Sequence, residues 1–346
     1  MEYEQLILSF TSIIYEAMPF IVLGVVLAGI LEEFVPQQAI SKVIPKSPTL
    51  AIMLGALLGA VFPMCECGII VVMKRLLRKG LPLSVCVAYM LAGPIINVVV
   101  AGSTYVAFEP TVKERVVFGG PWGVVILRLG LGYVVAVVTA MFVEMQTRRI
   151  GVENQLAPSI MKGLKPQRAF GVSLDVIEPP RTIRERFLNI SSTALHDFID
   201  IMAFLVIGAT LASLGRSFLS EEMFNKLSEG TSTAGPLLKI SLQILIMMGL
   251  AVLFCLCSEA DAFVAANFPM YWLPASKLAF LVLGPMLDLK LYVMYTRVYR
   301  PKLIFTIITA VAVQIFLYSL VIHQFEPAIS AFFESVFQFS AKFAQR

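Results

Sequence analysis

Runs of uncharged or nearly uncharged, apolar residues, each about long enough to cross a lipid bilayer, recur from one end of this chain to the other and leave few folds open to it. A transmembrane helix needs roughly 20 mostly apolar residues. Runs of that order lie near residues 6–31, 50–73, 81–108, 121–143, 198–214, 237–257, 278–295 and 303–322. Of 346 residues, 58% are apolar and 14% charged, an excess that no soluble core requires. The expected fold is therefore all-α: a polytopic membrane protein with about eight transmembrane helices. Glu2 and Glu4 stand where a secretory signal would be basic, and no small-residue cleavage site follows the first run, so that run is expected to stay as a span. The net charge of +4 falls mainly in connecting segments. There it orients the chain against the lipid rather than binding nucleic acid.

A change of character divides the chain. Between residues 145 and 190 lie Arg148, Arg149, Lys162, Lys165, Arg168, Arg181, Arg184 and Arg186, with Pro158, Pro166, Pro179 and Pro180 among them. This reads as a basic cytoplasmic linker between a first membrane repeat (1–144) and a second (191–325). From 326 to 346 the helical spacing of apolar residues 329, 332, 333, 336, 337 and 339, with Glu334 and Lys342 interspersed, predicts an amphipathic helix lying in the interface. The cluster Lys74, Arg75, Arg78 and Lys79 should share the cytoplasmic side with the linker. An even number of spans then puts both termini in the cytoplasm of a multi-pass protein of the inner cell membrane. It also puts Arg297, Arg300 and Lys302 outside, against the positive-inside tendency. A re-entrant segment in the second half, with halves inverted rather than parallel, would remove the conflict.

The halves resemble each other. FIVLGVVLA at 20–28 aligns on FLVIGATLA at 204–212 with five of nine residues shared, which sets Glu16 opposite Asp200. The Cys-x-Cys of Cys65 and Cys67 matches that of Cys255 and Cys257, and GPIIN at 93–97 matches GPMLD at 284–288. Three ordered matches at similar spacing indicate a duplication. Duplicated membrane halves are typical of transporters, whose sites lie between the repeats on broken helices.

Three groups of residues carry candidate chemistry. Thiolates are soft ligands for thiophilic metals and metalloids, but residues two apart on an unbroken helix point about 200° apart. Cys65 and Cys67 can face one solute only where the helix unwinds, for which Pro63, Gly68 and the costly Glu66 are signals. An isolated membrane cysteine such as Cys86 reads as a packing residue, and a disulfide within either pair would be strained. Gly93, Pro94, Gly284 and Pro285 break their helices and free backbone carbonyls beside Asn97 and Asp288. Ionisable residues at depth are Glu16, Glu66, Arg128, Asp200, Glu259, Asp261, Asp288 and Lys290. Each costs about 2.5–3.5 kcal/mol at the bilayer centre unless paired or hydrated. An Asp288–Lys290 pair and neutralisation of an acid by Arg128 are the arrangements to expect.

FPMCECG, RLLRKGLPLS and LAGPIINVVV in the first half, with CLCSEADAFVAANF and LAFLVLGPMLDLK in the second, resemble the predicted-permease family that includes YraQ-like proteins and the ArsP organoarsenical efflux permeases. The resemblance covers nearly the whole chain and implies export of trivalent methylated or aromatic arsenicals. The expectation is a secondary transporter, not an enzyme, that exports a small soft or thiol-reactive solute. Cys65, Cys67, Cys255 and Cys257 would bind the solute with Glu66, Asn97, Glu259, Asp261 and Lys290 around them. Asp288, or Glu16 with Asp200, would couple protons. No phosphate-binding loop is present to suggest ATP hydrolysis, and no cofactor or stably bound metal is expected. The expected partners are the bilayer and a small-molecule or metalloid substrate, with homo-oligomerisation left open. A thiol oxidoreductase relaying electrons through the cysteine pairs, and a permease for sulfur-containing anions, remain the alternatives.

Overall fold

In lipid the backbone must satisfy its own polar groups, and this chain does so with helices. The structure, a computed structural model, describes residues 2–34, 45, 47–61, 64–109, 117–158, 183–217, 235–269 and 271–344. Among the described residues twelve α-helices follow one another. In the first half these are α1 (Glu2–Phe34), α2 (Pro48–Val61), α3 (Glu66–Arg78), α4 (Leu83–Ala92), α5 (Val98–Ala107) and α6 (Pro121–Ile150). In the second they are α7 (Ile183–Ser217), α8 (Pro236–Phe254), α9 (Ser258–Asn267), α10 (Pro274–Leu283), α11 (Leu289–Val298) and α12 (Pro301–Ala344). Proline opens α6, α8 and α10, where its missing N–H would have no helical partner anyway. Five helices, α1, α6, α7, α8 and α12, contain stretches long and apolar enough to cross a membrane. The protein is a multi-pass membrane protein.

Contacts fix how the helices run. α6 and α12 are antiparallel: Gly119, just before α6, lies against Ser330 and Phe333 of α12. Midway along them Gln314 Nε2 donates to Thr139 Oγ1 (2.8 Å). Past the end of α6, Leu156 forms a β-bridge with Tyr299 just before α12. The end of α6 marks what we term the linker face. α4 is antiparallel to α6, because Ser84 at its start bonds Glu144 (2.8 Å) and Ile95 just past its end packs on Gly132. α2 runs parallel to α4, with Gly55 against Val85 and Gly59 against Gly93 and Ile96. α3 must then return to the linker face, since a short turn joins its end to the start of α4. The run at 50–73 is therefore not a span but a hairpin, α2–α3, turning at its Cys65 tip.

A second hairpin enters from the opposite face. Gln243 in α8 bonds both Tyr271 O (3.3 Å) and the N–H of Leu273 (3.4 Å) in the turn that follows α9, so α8 begins where α9 ends. That level is also where α6 begins, for Leu237 and Leu273 share a cleft with Leu320 and His323 of α12. The run at 237–257 ends at the hairpin's tip, Cys255 to Cys257. The runs at 81–108 and 278–295 are each two short helices, α4 with α5 and α10 with α11, interrupted at Gly93–Asn97 and Gly284–Asp288. Proline explains these breaks, since Pro94 and Pro285 have no N–H to continue the helix.

Boundaries elsewhere differ from expectation. α6 continues past 143 to Ile150, where Gly151 (φ +84°) stops it, and α7 starts at Ile183 rather than near 198. Most of the expected linker, residues 159–182, lies outside the described residues. The tail is not a separate helix. α12 runs unbroken through Pro327 to Ala344, and Phe333 is buried against Gly119 and Gly123. Pro327 reads as a boundary in sequence, but a helix held by packing tolerates it.

The charge conflict also disappears. Arg75 and Arg78 close α3, Arg148 and Arg149 close α6, and Arg297 closes α11. Arg300 donates from its backbone to Gln155 O (2.8 Å) and from Nε to Leu156 O (3.1 Å). All three clusters lie on the linker face. They separate only if the second hairpin is counted as a crossing.

Candidate functional site

Both Gly-Pro breaks are closed by the polar residue that follows them. Asn97 Oδ1 accepts the N–H of Val100 (2.7 Å) and Asp288 Oδ1 that of Leu291 (2.6 Å), so each caps the half-helix it precedes. A cap of this kind stabilises a helix by about 1 kcal/mol. A cysteine stands at the N-cap after each cysteine break, and only the second caps with its side chain. Cys65 is the N-cap of α3 and Cys257 that of α9, where its sulfur accepts the N–H of Ala260 (3.4 Å). By helix register Cys65 thus corresponds to Cys257, not to Cys255 as residue identity suggests. Cys255 instead ends α8 in the left-handed region (φ +48°), a conformation that costs a non-glycine residue about 1–2 kcal/mol.

Lys290, the second residue of α11, joins the two hairpin tips. Its Nζ lies 2.7 Å from Glu66 Oε1 at the start of α3 and 3.2 Å from Asp288 Oδ2. It also donates to the carbonyls of Cys255 (3.2 Å) and Leu256 (3.3 Å) in the second tip. A cation there meets the negative end of α8 and the carbonyls that the break leaves unpaired. Glu66, Asp288 and Lys290 are all at most 3% exposed. Arg128 does for the other side of the tip what Lys290 does for the first. Fully buried in α6, it donates to Ser258 O (2.7 Å) at the start of α9 and to Thr104 Oγ1 (2.7 Å) in α5. Asp261 and Glu259 act on it electrostatically, without an ion pair among the described residues.

The structure brings Glu66, Asp288, Lys290 and the backbone at Cys255 into direct contact, with Asp288 and Lys290 paired as expected. The Cys65 and Cys67 side chains neighbour each other, Cys65 being extended while Cys67 is already helical. Pro63 lies outside the described residues. All five cysteines are free thiols. Among the described residues no three or more His, Cys, Asp or Glu are grouped to hold a metal ion, so the four paired thiols do not form one cluster. Glu16 and Asp200 lie on α1 and α7, which pack against each other, but their side chains are outside the described residues. Sequence reasoning missed the grip of Arg128 on the second tip and the Tyr299 hydroxyl, which lies 3.5 and 3.4 Å from the sulfurs of Met73 and Met90. A lone arginine in an apolar run signals a buried partner, but a backbone carbonyl leaves no mark in a sequence.

The predicted-permease family ArsP_1 matches residues 2–324. The UPF0718 protein YcgR of Bacillus subtilis is 34% identical over 313 residues, which are 90% of this chain and 95% of that protein. A Streptococcus mutans protein named putative two-component membrane permease complex subunit is 28% identical over 313 residues, 90% of this chain and 93% of that one. No solved structure matches the chain.

Proposed function

This chain belongs to the predicted-permease family ArsP_1, and we propose that it is a secondary transporter exporting a small soft or thiol-reactive solute, such as a trivalent organoarsenical or related metalloid. One observation carries the reading. Two hairpins enter from opposite faces and their tips are tied by buried ion pairs at Lys290, the arrangement expected of a midplane site on broken helices. Cys65, Cys67, Cys255 and Cys257 bind the solute, and Gly93, Pro94, Gly284 and Pro285 shape the site.

The transport cycle alternates access between two inverted repeats, 1–144 and 191–325, joined by the linker at 145–190. Matched packing supports the duplication: α2 on α4 with α8 on α10, α4 on α6 with α10 on α12, and α3 on α4 with α9 on α10. The sulfur-anion reading is weaker, because Lys290 and Arg128 are already engaged by carboxylates, carbonyls and a hydroxyl.

The test is a screen of trivalent arsenicals, other metalloids, soft metals and reduced sulfur compounds, in intact cells and then in vesicles holding this chain alone. At least one soft species is expected to be exported, and replacing all four paired cysteines by serine to abolish it. If no soft species responds, the substrate class is wrong. Undiminished export by the serine variant removes the thiols from the mechanism. The Streptococcus mutans relative is named a subunit of a two-component complex. Export confined to intact cells would assign such a second subunit here.

The linker face, with its three basic clusters, is cytoplasmic in this reading. Six crossings and two hairpins then place both termini on the opposite side from the linker, which replaces the cytoplasmic termini expected from eight spans. Cysteines introduced in a cysteine-free background at Glu153, on the linker face, and Gln324, on α12 at the level where α8 begins, distinguish the two. A membrane-impermeant thiol reagent should label Gln324→Cys only from outside and Glu153→Cys only from inside. The reverse pattern would overturn this orientation.

A further inference from the structure

The two halves build one contact with different chemistry. The fourth residue of α3, Ile69, presses its Cδ1 onto Gly93, and the fourth residue of α9, Asp261, presses its carboxylate onto Gly284. Asp261 Oδ2 lies 2.5 Å from where a Cβ on Gly284 would stand. The first half shows that an apolar side chain satisfies the packing, so the fold does not require a carboxylate at this position.

Among the described residues no ion pair holds that carboxylate as an anion. Asp261 is 1% exposed, and among the described residues its Oδ2 has no hydrogen-bond partner. Arg128 directs its hydrogen bonds to Thr104 and Ser258, not to Asp261. The charged groups facing it are Arg128 of α6, Glu66 of α3, and Asp288 and Lys290 of α11, with Glu259 on its own helix. α5, which packs on α9, carries no charged residue, and Lys277 of α10 is bonded to Phe268 O (2.8 Å) at that helix's far end. Around the tips, then, four carboxyl groups share two cations. A bare carboxylate left over in this setting is strongly disfavoured by the loss of its hydration.

We propose that Asp261, seated on the Gly284 break, is the group that takes up and releases the coupling proton. A proton suits the site better than a metal cation. The oxygen is pressed against backbone, and among the described residues no set of side chains is grouped to coordinate an ion. The Gly284 break supplies the means of release: if α10 and α11 shift relative to α9, the carboxyl leaves the backbone it is pressed against and meets water. The inference rests on the transporter reading and names its coupling group, distinct from Asp288, whose carboxylate is held as a helix cap and ion pair.

Infrared spectroscopy of the full chain in lipid vesicles at neutral pH tests it without any substrate. The wild type is expected to show the carbonyl stretch of a protonated carboxylic acid, moving to lower frequency in heavy water. Asp261→Asn should lose one component of that band, and Asp261→Glu should keep it at a shifted frequency. The second variant keeps the test open should the first fail to fold. The proposal is overturned by a wild type without the band, by a band unchanged in both variants, or by a component that heavy water leaves unmoved, since that proton would be static. A solute screen in which nothing moves would count against the transporter reading and leave this measurement standing.

Discussion

Replacing Lys290 by methionine is expected to lower stability by about 3–5 kcal/mol, the cost of leaving a buried partner charge uncompensated. Nζ is the only cation within contact of Glu66 Oε1 and Asp288 Oδ2 among the described residues, and it also holds the carbonyls of Cys255 and Leu256. The methylenes of methionine refill the space, so the loss reports charge rather than volume. The effect should depend on pH with a definite sign. Without the cation, the two buried carboxyls must bind protons to stay folded, so the variant approaches wild type as the pH falls and weakens as it rises. Unfolding in detergent, followed across pH, measures both. Glu66→Gln added to Lys290→Met should recover part of the loss, because it removes one of the stranded charges. A Lys290→Met protein as stable as wild type at neutral pH would mean that the ion pairs do not join the tips.

Gly59→Leu is expected to prevent the α2–α3 hairpin from docking, with the protein recovered misassembled or not at all. A Cβ at Gly59 would fall within the Cα of Gly93, 3.0 Å from its carbonyl oxygen and 3.1 Å from that of Ile96. These are backbone atoms of the Gly-Pro break and have no rotamer by which to move aside. In a membrane such close helix approaches supply the packing that water would otherwise drive. Gly59→Ala should already cost about 1–3 kcal/mol, the usual range for overpacking. Gly102 in α5 has nothing within 4 Å of its would-be Cβ. Gly102→Ala is therefore the control, expected to be neutral or to stabilise by about 0.5–1 kcal/mol. Equal expression and unfolding midpoints for Gly59→Leu and the control would show that α2 does not seat on the break.

Much of the polar centre was legible one residue at a time. A charged side chain cannot face lipid, so Glu66, Asp288, Lys290 and Arg128 announced themselves as interior, and Asp288–Lys290 as a pair. Partners distant in sequence stayed hidden. Glu66 and Lys290 belong to different halves, and Arg128 binds a backbone carbonyl that any residue would present. The cysteine correspondence was misjudged because identity favours Cys255, whereas helix register, which only backbone dihedrals reveal, favours Cys257. Asp261 was one acid among several until its counterpart contact, Ile69 on Gly93, showed what the position needs for packing alone.

By itself the sequence determined that the chain lives in lipid and where its helices must break. Those properties follow from local chemistry: apolar run length, missing proline N–H groups and the cost of buried charge. Whether an apolar run crosses or turns back was decided only by the tertiary structure. Runs 50–73 and 121–143 are equally apolar to a reader of the sequence, yet one is a hairpin and the other part of a span. Direction comes from what each helix packs against, from Ser84 on Glu144, Gly59 on Gly93 and Gly119 on Ser330. Close approach and ion pairing between distant segments carry that information, and hydropathy does not.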